Sequence, residues 1–155
     1  MIRTIPTYLA AVDFAFVPSA ADANQKRIAL TVRNSKAILV VDDDPGTLKG
    51  MKRLLKQHGY DSVLFDSATA FQNYDETDQA LCIILDINLN DGSGIAVRHR
   101  LRAAGVSVPV IYITGNDNHA VHMAALESGC VAYLTKPISA KALVEPLAQV
   151  SAGSA

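Results

Sequence analysis

The stretch 81-LCIILDINLNDGSG-94 decides the fold. Its opening residues, Leu81 to Leu85, are apolar without polar alternation, the pattern of a strand buried on both faces in a parallel sheet covered by helices. The run stops at an acid, Asp86, and continues into polar and glycine-rich residues. In open parallel α/β sheets ligands gather outside the carboxyl ends of the strands, so an acid there stands at the rim of the core where chemistry is expected. The same residue type also serves simply as a turn or helix cap. What stands at the other strand ends therefore decides how Asp86 is read.

Upstream, Ala37 to Val41 is a second apolar run, ending in Asp42, Asp43 and Asp44, with Pro45 suited to the first turn of a helix. Leu48, Met51, Leu54 and Leu55 recur at helical spacing until Gly59. Val63 to Phe65 reads as another strand, and Ser67 to about Tyr74 as a short helix opened by Ser67. Downstream, Ile95 to Ala104 is a helix closed by Gly105, and Val108 to Ile113 is a strand ending in Thr114. Asn118 to Ser128 is a helix closed by Gly129, and Val131 to Leu134 is the fifth strand. Ala140 to Val150 is the last helix, which Pro146 is expected to bend or shorten. Five strands alternating with five helices predict an α/β domain over residues 37–150, a five-stranded parallel doubly wound sheet with helices on both faces. Residues 151–155 read as a frayed tail.

Residues 1–36 are the least legible. Arg3 followed by Ile5 and Leu9 to Val12 imitates a secretory leader, but Pro6, Asp13 and Pro18 break its apolar region. Ile28, Leu30 and Val32 alternate as an additional edge strand does. This N-terminal extension is read as poorly ordered, and no function is drawn from it. The 155 residues are 50% apolar and 19% charged, enough apolar mass for one buried core. A net charge of −1 gives no electrostatic reason to expect a nucleic acid or an anionic membrane as partner. Cys82 and Cys130 read as small buried hydrophobes in a reducing compartment, which implies a cytoplasmic protein.

Asp42, Asp43, Asp86, Thr114 and the pair Lys136-Pro137 all fall on one edge of one sheet. Three converging carboxylates repel one another unless a cation shares the site, and hard oxygen ligands beside a phosphoryl group suit Mg²⁺. A hydroxyl and an ammonium supply what the remaining phosphoryl oxygens require. The site reads as a carboxylate that takes up a phosphoryl group with metal assistance.

These residues resemble the receiver domains of two-component response regulators. ILVVDDDP is similar to the family's acidic-pocket motif, IILDINLNDGSG to its phosphoacceptor turn, PVIYITG to its hydroxyl motif and YLTKP to its Lys-Pro motif, in the family's order. The resemblance covers about Lys36 to Val150 and implies a flavodoxin-like or receiver-like strand order of 2-1-3-4-5. It implies that Asp86 is the phosphoacceptor for a histidine kinase or phosphotransfer protein, and that Asp43, Asp86 and the backbone carbonyl of Asn88 ligate Mg²⁺ while Asp42, the fourth residue of the metal site, holds a metal-bound water. Asp44 ranks third among the first strand's acids for those places. Thr114 and Lys136 are implied to contact phosphoryl oxygens, across a cis Lys136-Pro137 bond. Tyr133 matches the switch aromatic, which turns into space vacated by Thr114 and remodels the face of the fourth helix, fifth strand and last helix.

The chain departs from the pattern at Asn90, where many receivers have proline, and a looser acceptor turn is expected. Asn88 and Asn116 occupy positions that tune dephosphorylation in the family, and two polar side chains there favour a short phosphoryl lifetime. The reading is a stand-alone receiver, since no output domain follows Val150, that switches a face for an unknown downstream protein; its only catalysis is its own phosphorylation and dephosphorylation. The alternatives are a phosphate shuttle or sink, and a Mg²⁺-dependent aspartyl phosphatase, which wants a second acid where Asn88 stands. His119 and His122 share a predicted helix face at metal-compatible spacing but lack a third ligand, and His99 lies within a crossover helix, not in a phosphotransfer bundle.

Overall fold

In the computed structural model, which describes residues 36–153, the apolar runs form the sheet that their composition predicts. The strands are β1 (Ile38–Val41), β2 (Ser62–Phe65), β3 (Cys82–Asp86), the two-residue β4 (Asn88–Leu89) and β5 (Gly92–Ser93), β6 (Val110–Thr114) and β7 (Ala132–Thr135). The helices are α1 (Pro45–Gln57), α2 (Ala68–Gln72), α3 (Gly94–Ala103), α4 (His119–Glu127) and α5 (Ala140–Gly153). Five strands make one parallel sheet in the order β2-β1-β3-β6-β7, while β4 and β5 form a separate antiparallel hairpin. With the hairpin left out of the count, this is the expected 2-1-3-4-5.

Strand alternation divides the core in two. Leu39, Val41, Ile83, Leu85, Val110 and Tyr112 pack with Phe71 of α2, Val97 of α3 and Ala125 of α4. Ile38, Val40, Cys82, Ile84, Ile111 and Ile113 face the other way, against Leu48, Met51 and Leu55 of α1 and Leu143 and Leu147 of α5. Cover on both sides is why the strands carry no polar alternation. Burying each large aliphatic side chain contributes roughly 1.5–3 kcal/mol. Cys82 is fully buried and desolvation pushes its thiol up to about 12; Cys130 is only half-buried and free.

The helix starts follow local chemistry. Asp44, Ser67, Ser93 and Asn118 each accept a hydrogen bond from a first-turn N–H of the helix that follows. Most boundaries fall within one residue of expectation, β7 for example at Ala132–Thr135 instead of Val131–Leu134, and three differ by more. β6 begins at Val110 because Pro109 has no N–H to add to the ladder; its carbonyl still accepts from Ile83 N at 2.9 Å. α2 stops at Gln72, and Tyr74 leaves the helix to pack its ring 5.1 Å from that of Phe65. α5 passes through Pro146 and runs to Gly153, where the sequence suggested an end at Val150 and a frayed tail from 151. Ser151 ties that last turn down by donating to the Leu147 carbonyl at 2.9 Å. The alternation at Ile28, Leu30 and Val32 lies outside the described residues. No helix among the described residues is long and apolar enough to cross a membrane.

Candidate functional site

Register brings the polar residues together. Val41 pairs with Leu85, so the next residue of each strand, Asp42 and Asp86, stand side by side. Asp86 pairs with Ile113, placing Thr114 one step beyond it, and Thr114 pairs with Thr135. The Lys136 N–H then donates to the Thr114 carbonyl at 2.8 Å, which brings the lysine side chain back over the strand ends. Asp42 and Thr114 are 0% exposed and Asp86 is 3% exposed. The Lys136-Pro137 bond is cis.

The Lys136 ammonium bridges the two buried acids, 2.8 Å from Asp42 Oδ2 and 3.0 Å from Asp86 Oδ2. Their other oxygens accept backbone N–H groups two residues on, Asp44 to Asp42 Oδ1 at 2.8 Å and Asn88 to Asp86 Oδ1 at 2.9 Å. Desolvation pushes the Asp86 carboxyl up from its ordinary value; the Asn88 N–H and Lys136 pull it back, the Asp42 charge adds to the rise, and the net shift is upward. Burial works against the Lys136 charge, but the two carboxylates outweigh it and its pKa lies above that of a free lysine.

One carboxylate oxygen from each of Asp42, Asp43 and Asp86 lies within 4.8 Å of the others. Asp42 Oδ2 is buried and, beyond its ion pair, has no aligned hydrogen bond. An under-satisfied anionic oxygen among hard oxygen donors fits a divalent cation of the Mg²⁺ type. Asp44 is not one of the three. Its carboxylate caps α1, accepting from Thr47 Oγ1 at 2.7 Å and from the Gly46 and Thr47 N–H groups, and the Thr47 contacts hold it below the ordinary carboxylate value.

The turn after Asp86 is closely tied, contrary to the looseness expected from Asn90. Asn88 pairs with Ser93 and Leu89 with Gly92 across the β4–β5 hairpin. The Asn90 N–H donates to Asp43 Oδ2 at 2.8 Å. Asp91 accepts from the Ala68 and Thr69 N–H groups, each at 2.9 Å, and from Thr69 Oγ1 at 2.7 Å, which pins the turn to the start of α2. Those bonds, the Thr69 hydroxyl first, hold the Asp91 pKa at about 2. Gly94 opens α3 directly against Asp86: a Cβ there would meet the Asp86 carbonyl oxygen at 2.3 Å and Ile87 Cα at 3.1 Å.

At the neighbouring strand ends, Thr114 Oγ1 donates to the Asn116 carbonyl at 3.2 Å and accepts from its N–H at 3.1 Å and from Asn88 Nδ2 at 3.4 Å. The Tyr133 hydroxyl donates to Asp117 Oδ1 at 2.9 Å. Its ring stacks on His122 with centroids 4.3 Å apart and planes 5° from parallel. Burial first, then the Asp117 carboxylate, pushes the phenol up to about 12. His122 is thus half-buried against Tyr133, and His99 is exposed on α3. Sequence reasoning missed Asp91, Asp117 and the steric role of Gly94. Only Gly94 left a signal, a glycine at a helix start where Ser93 already provides the cap.

A family model described as the response regulator receiver domain matches residues 38–148. Transcriptional regulatory protein PrrA of Mycobacterium leprae is 37% identical over 120 residues, covering 77% of this chain and 50% of that protein. Response regulator protein TodT of Pseudomonas putida is 29% identical over 110 residues, covering 71% and 48%. The chain thus spans about half the length of the curated relatives it matches. Among solved structures, the BeF3-activated DrrB receiver domain superposes with a TM-score of 0.69 at 26% identity, covering 76% of this chain and 97% of that one. A response regulator receiver protein from Pseudoalteromonas atlantica shares the fold with a TM-score of 0.73 at 22% identity, covering 77% and 99%.

Proposed function

The chain belongs to the response regulator receiver domain family, and on that premise we propose that it accepts a phosphoryl group on Asp86 and converts it into a change of binding face. The observation that carries this reading is the pair of acids at adjacent strand ends, nearly closed to water and bridged by one lysine. Asp86 Oδ1 is held by the Asn88 N–H, so Oδ2, on Lys136, is the nucleophile. It attacks the phosphorus of a phosphohistidine on a sensor histidine kinase or phosphotransfer protein; the new O–P bond forms as the N–P bond breaks and the imidazole leaves. Burial keeps the carboxylate poorly solvated and therefore reactive. Asp43, Asp86 and the Asn88 carbonyl would ligate Mg²⁺, with Asp42 holding a metal-bound water, and the ion would supply charge neutralisation at the phosphoryl oxygens.

Lys136 then exchanges part of its carboxylate pairing for a phosphoryl oxygen, and the Thr114 hydroxyl leaves Asn116 to donate to another. The displacement opens the space into which Tyr133 turns, giving up Asp117 and His122 and reshaping the surface of α4, β7 and α5 for a downstream protein, in the cytoplasm. A phosphatase of the aspartyl type is disfavoured, because the side chain two residues after Asp86 is an amide that donates to Thr114. The experiment is incubation with Mg²⁺ and acetyl phosphate, read by intact mass and heteronuclear NMR. The expected result is a labile gain of one phosphoryl group with shifts at Tyr133, both absent in Asp86→Asn; a folded protein that gains none overturns the reading.

A further inference from the structure

We infer that the backbone N–H of Asn90 is a positioning group for the Asp43 carboxylate, setting it over the acidic pocket in the orientation that a divalent cation requires. The inference rests on the reading of that pocket given above. Asp43 differs from its two companions. Asp42 and Asp86 are buried at strand ends, each fixed by a backbone N–H two residues on and by Lys136. Asp43 lies beyond the end of β1, half-buried, and among the described residues it has no ion pair. Left to itself, its side chain would have rotamers to lose each time it took up a cation. The 2.8 Å bond from Asn90, across 47 residues of chain, fixes Oδ2 and leaves Oδ1 without a hydrogen bond among the described residues.

The donor is itself on a fixed arm. The hairpin pairing of Asn88 with Ser93 and Leu89 with Gly92 flanks it, and Asp91, the next residue, is tied to Ala68 and Thr69. Asp91 therefore holds Asn90 in place, and Asn90 holds Asp43. The contact uses the main-chain N–H, not the asparagine side chain. Proline, the residue that many receivers place here, has no N–H and cannot make it. Asn90 thus makes a contact to Asp43 that a proline at position 90 could not.

The test is Mg²⁺ titration of the full chain by calorimetry and by amide NMR, comparing the unaltered protein with Asn90→Ala and Asn90→Pro. Asn90→Ala keeps the N–H and is expected to bind within about twofold of the unaltered chain, whereas Asn90→Pro weakens binding about three- to tenfold through loss of a charge-assisted bond. Equal affinity of the two variants overturns the inference and leaves the function of the pocket standing; absence of Mg²⁺ binding by the unaltered chain overturns both. Should Asn90→Pro not fold, hydrogen exchange decides: the Asn90 amide is expected to exchange about tenfold faster in Asp43→Ala, and unchanged exchange overturns the inference.

Discussion

The acceptor end of the sheet and the switch end stand two strands apart and are built differently. At the acceptor, Asp42 and Asp86 are closed to solvent and bound by Lys136 and backbone N–H groups at 3.0 Å or less, with Gly94 of α3 against the Asp86 carbonyl. At the switch, the half-buried Tyr133 is held by one ring stack and one hydrogen bond to the exposed Asp117. Such a stack and bond together contribute on the order of 1–2 kcal/mol. New charge-assisted bonds to a phosphoryl group can supply that much. The contrast teaches a division of labour in the proposed function: the phosphoryl chemistry is assigned to the closely tied end, and the readout to the end where little is needed to move a side chain.

The largest effect should come from Asp86→Asn, which removes phosphoryl uptake entirely. The same variant tests the cost of a buried charge. Because the folded chain raises the Asp86 pKa, it binds that proton more tightly than the unfolded chain does, so this group favours folding in acid and opposes it as pH rises through the raised value. Asp86→Asn should therefore melt above the unaltered protein at pH 7, with the gap closing below the ordinary carboxyl pKa of 3.8; a variant that melts lower at pH 7 would show that the site is not strained. Next in size, Gly94→Ala forces α3 off the acceptor backbone and should cost about 1–3 kcal/mol in denaturant melts. If it were neutral, the acceptor end would be softer than the comparison requires.

Smaller effects belong to the looser contacts. His122→Ala combined with Asp117→Asn should cost no more than about 1–2 kcal/mol of stability and yet shift Tyr133 resonances toward their phosphorylated positions without phosphorylation. No shift would mean that the outward ring is held by something other than these two residues. In the same variant, optical titration should bring the Tyr133 phenol down from about 12. Smallest of all, Asp91→Asn should lower the melting temperature slightly at neutral pH. Its depressed pKa means that the stabilisation is present above 3.8 and disappears as pH falls toward about 2, so the two proteins should converge across that interval.

The strand ends were legible because an apolar run that stops in an acid, a threonine or a Lys-Pro pair marks both the strand and the polar atom at its tip. Lys136 and Asp86 are 50 residues apart, yet both could be placed at one edge because a parallel sheet aligns its carboxyl ends. What joins loop to loop was not legible. Asp91 reaches α2 across 23 residues and Asn90 reaches Asp43 across 47, and neither pairing follows from a strand register. In sequence, Asn90 shows the absence of a proline's rigidity but not the partner of the N–H that a proline lacks. Helical spacing pairs His122 with His119 on its own helix, whereas its partner, Tyr133, lies on the next strand. Residues 151–155 read in sequence as a frayed tail, but a side chain back-bonded to Leu147 carries the helix on to Gly153.

Gly94 bears on how such a domain ages in a lineage. A methyl group added there presses on the acceptor turn, while the apolar residues that hold the sheet lie further back along the strands. A loss of about 1–3 kcal/mol from a typical ~5–15 kcal/mol leaves a folded protein. Drift at this position would therefore disturb the turn at Asp86 before it disturbed the sheet, so a chain altered there could keep its fold and lose the proposed phosphoryl uptake.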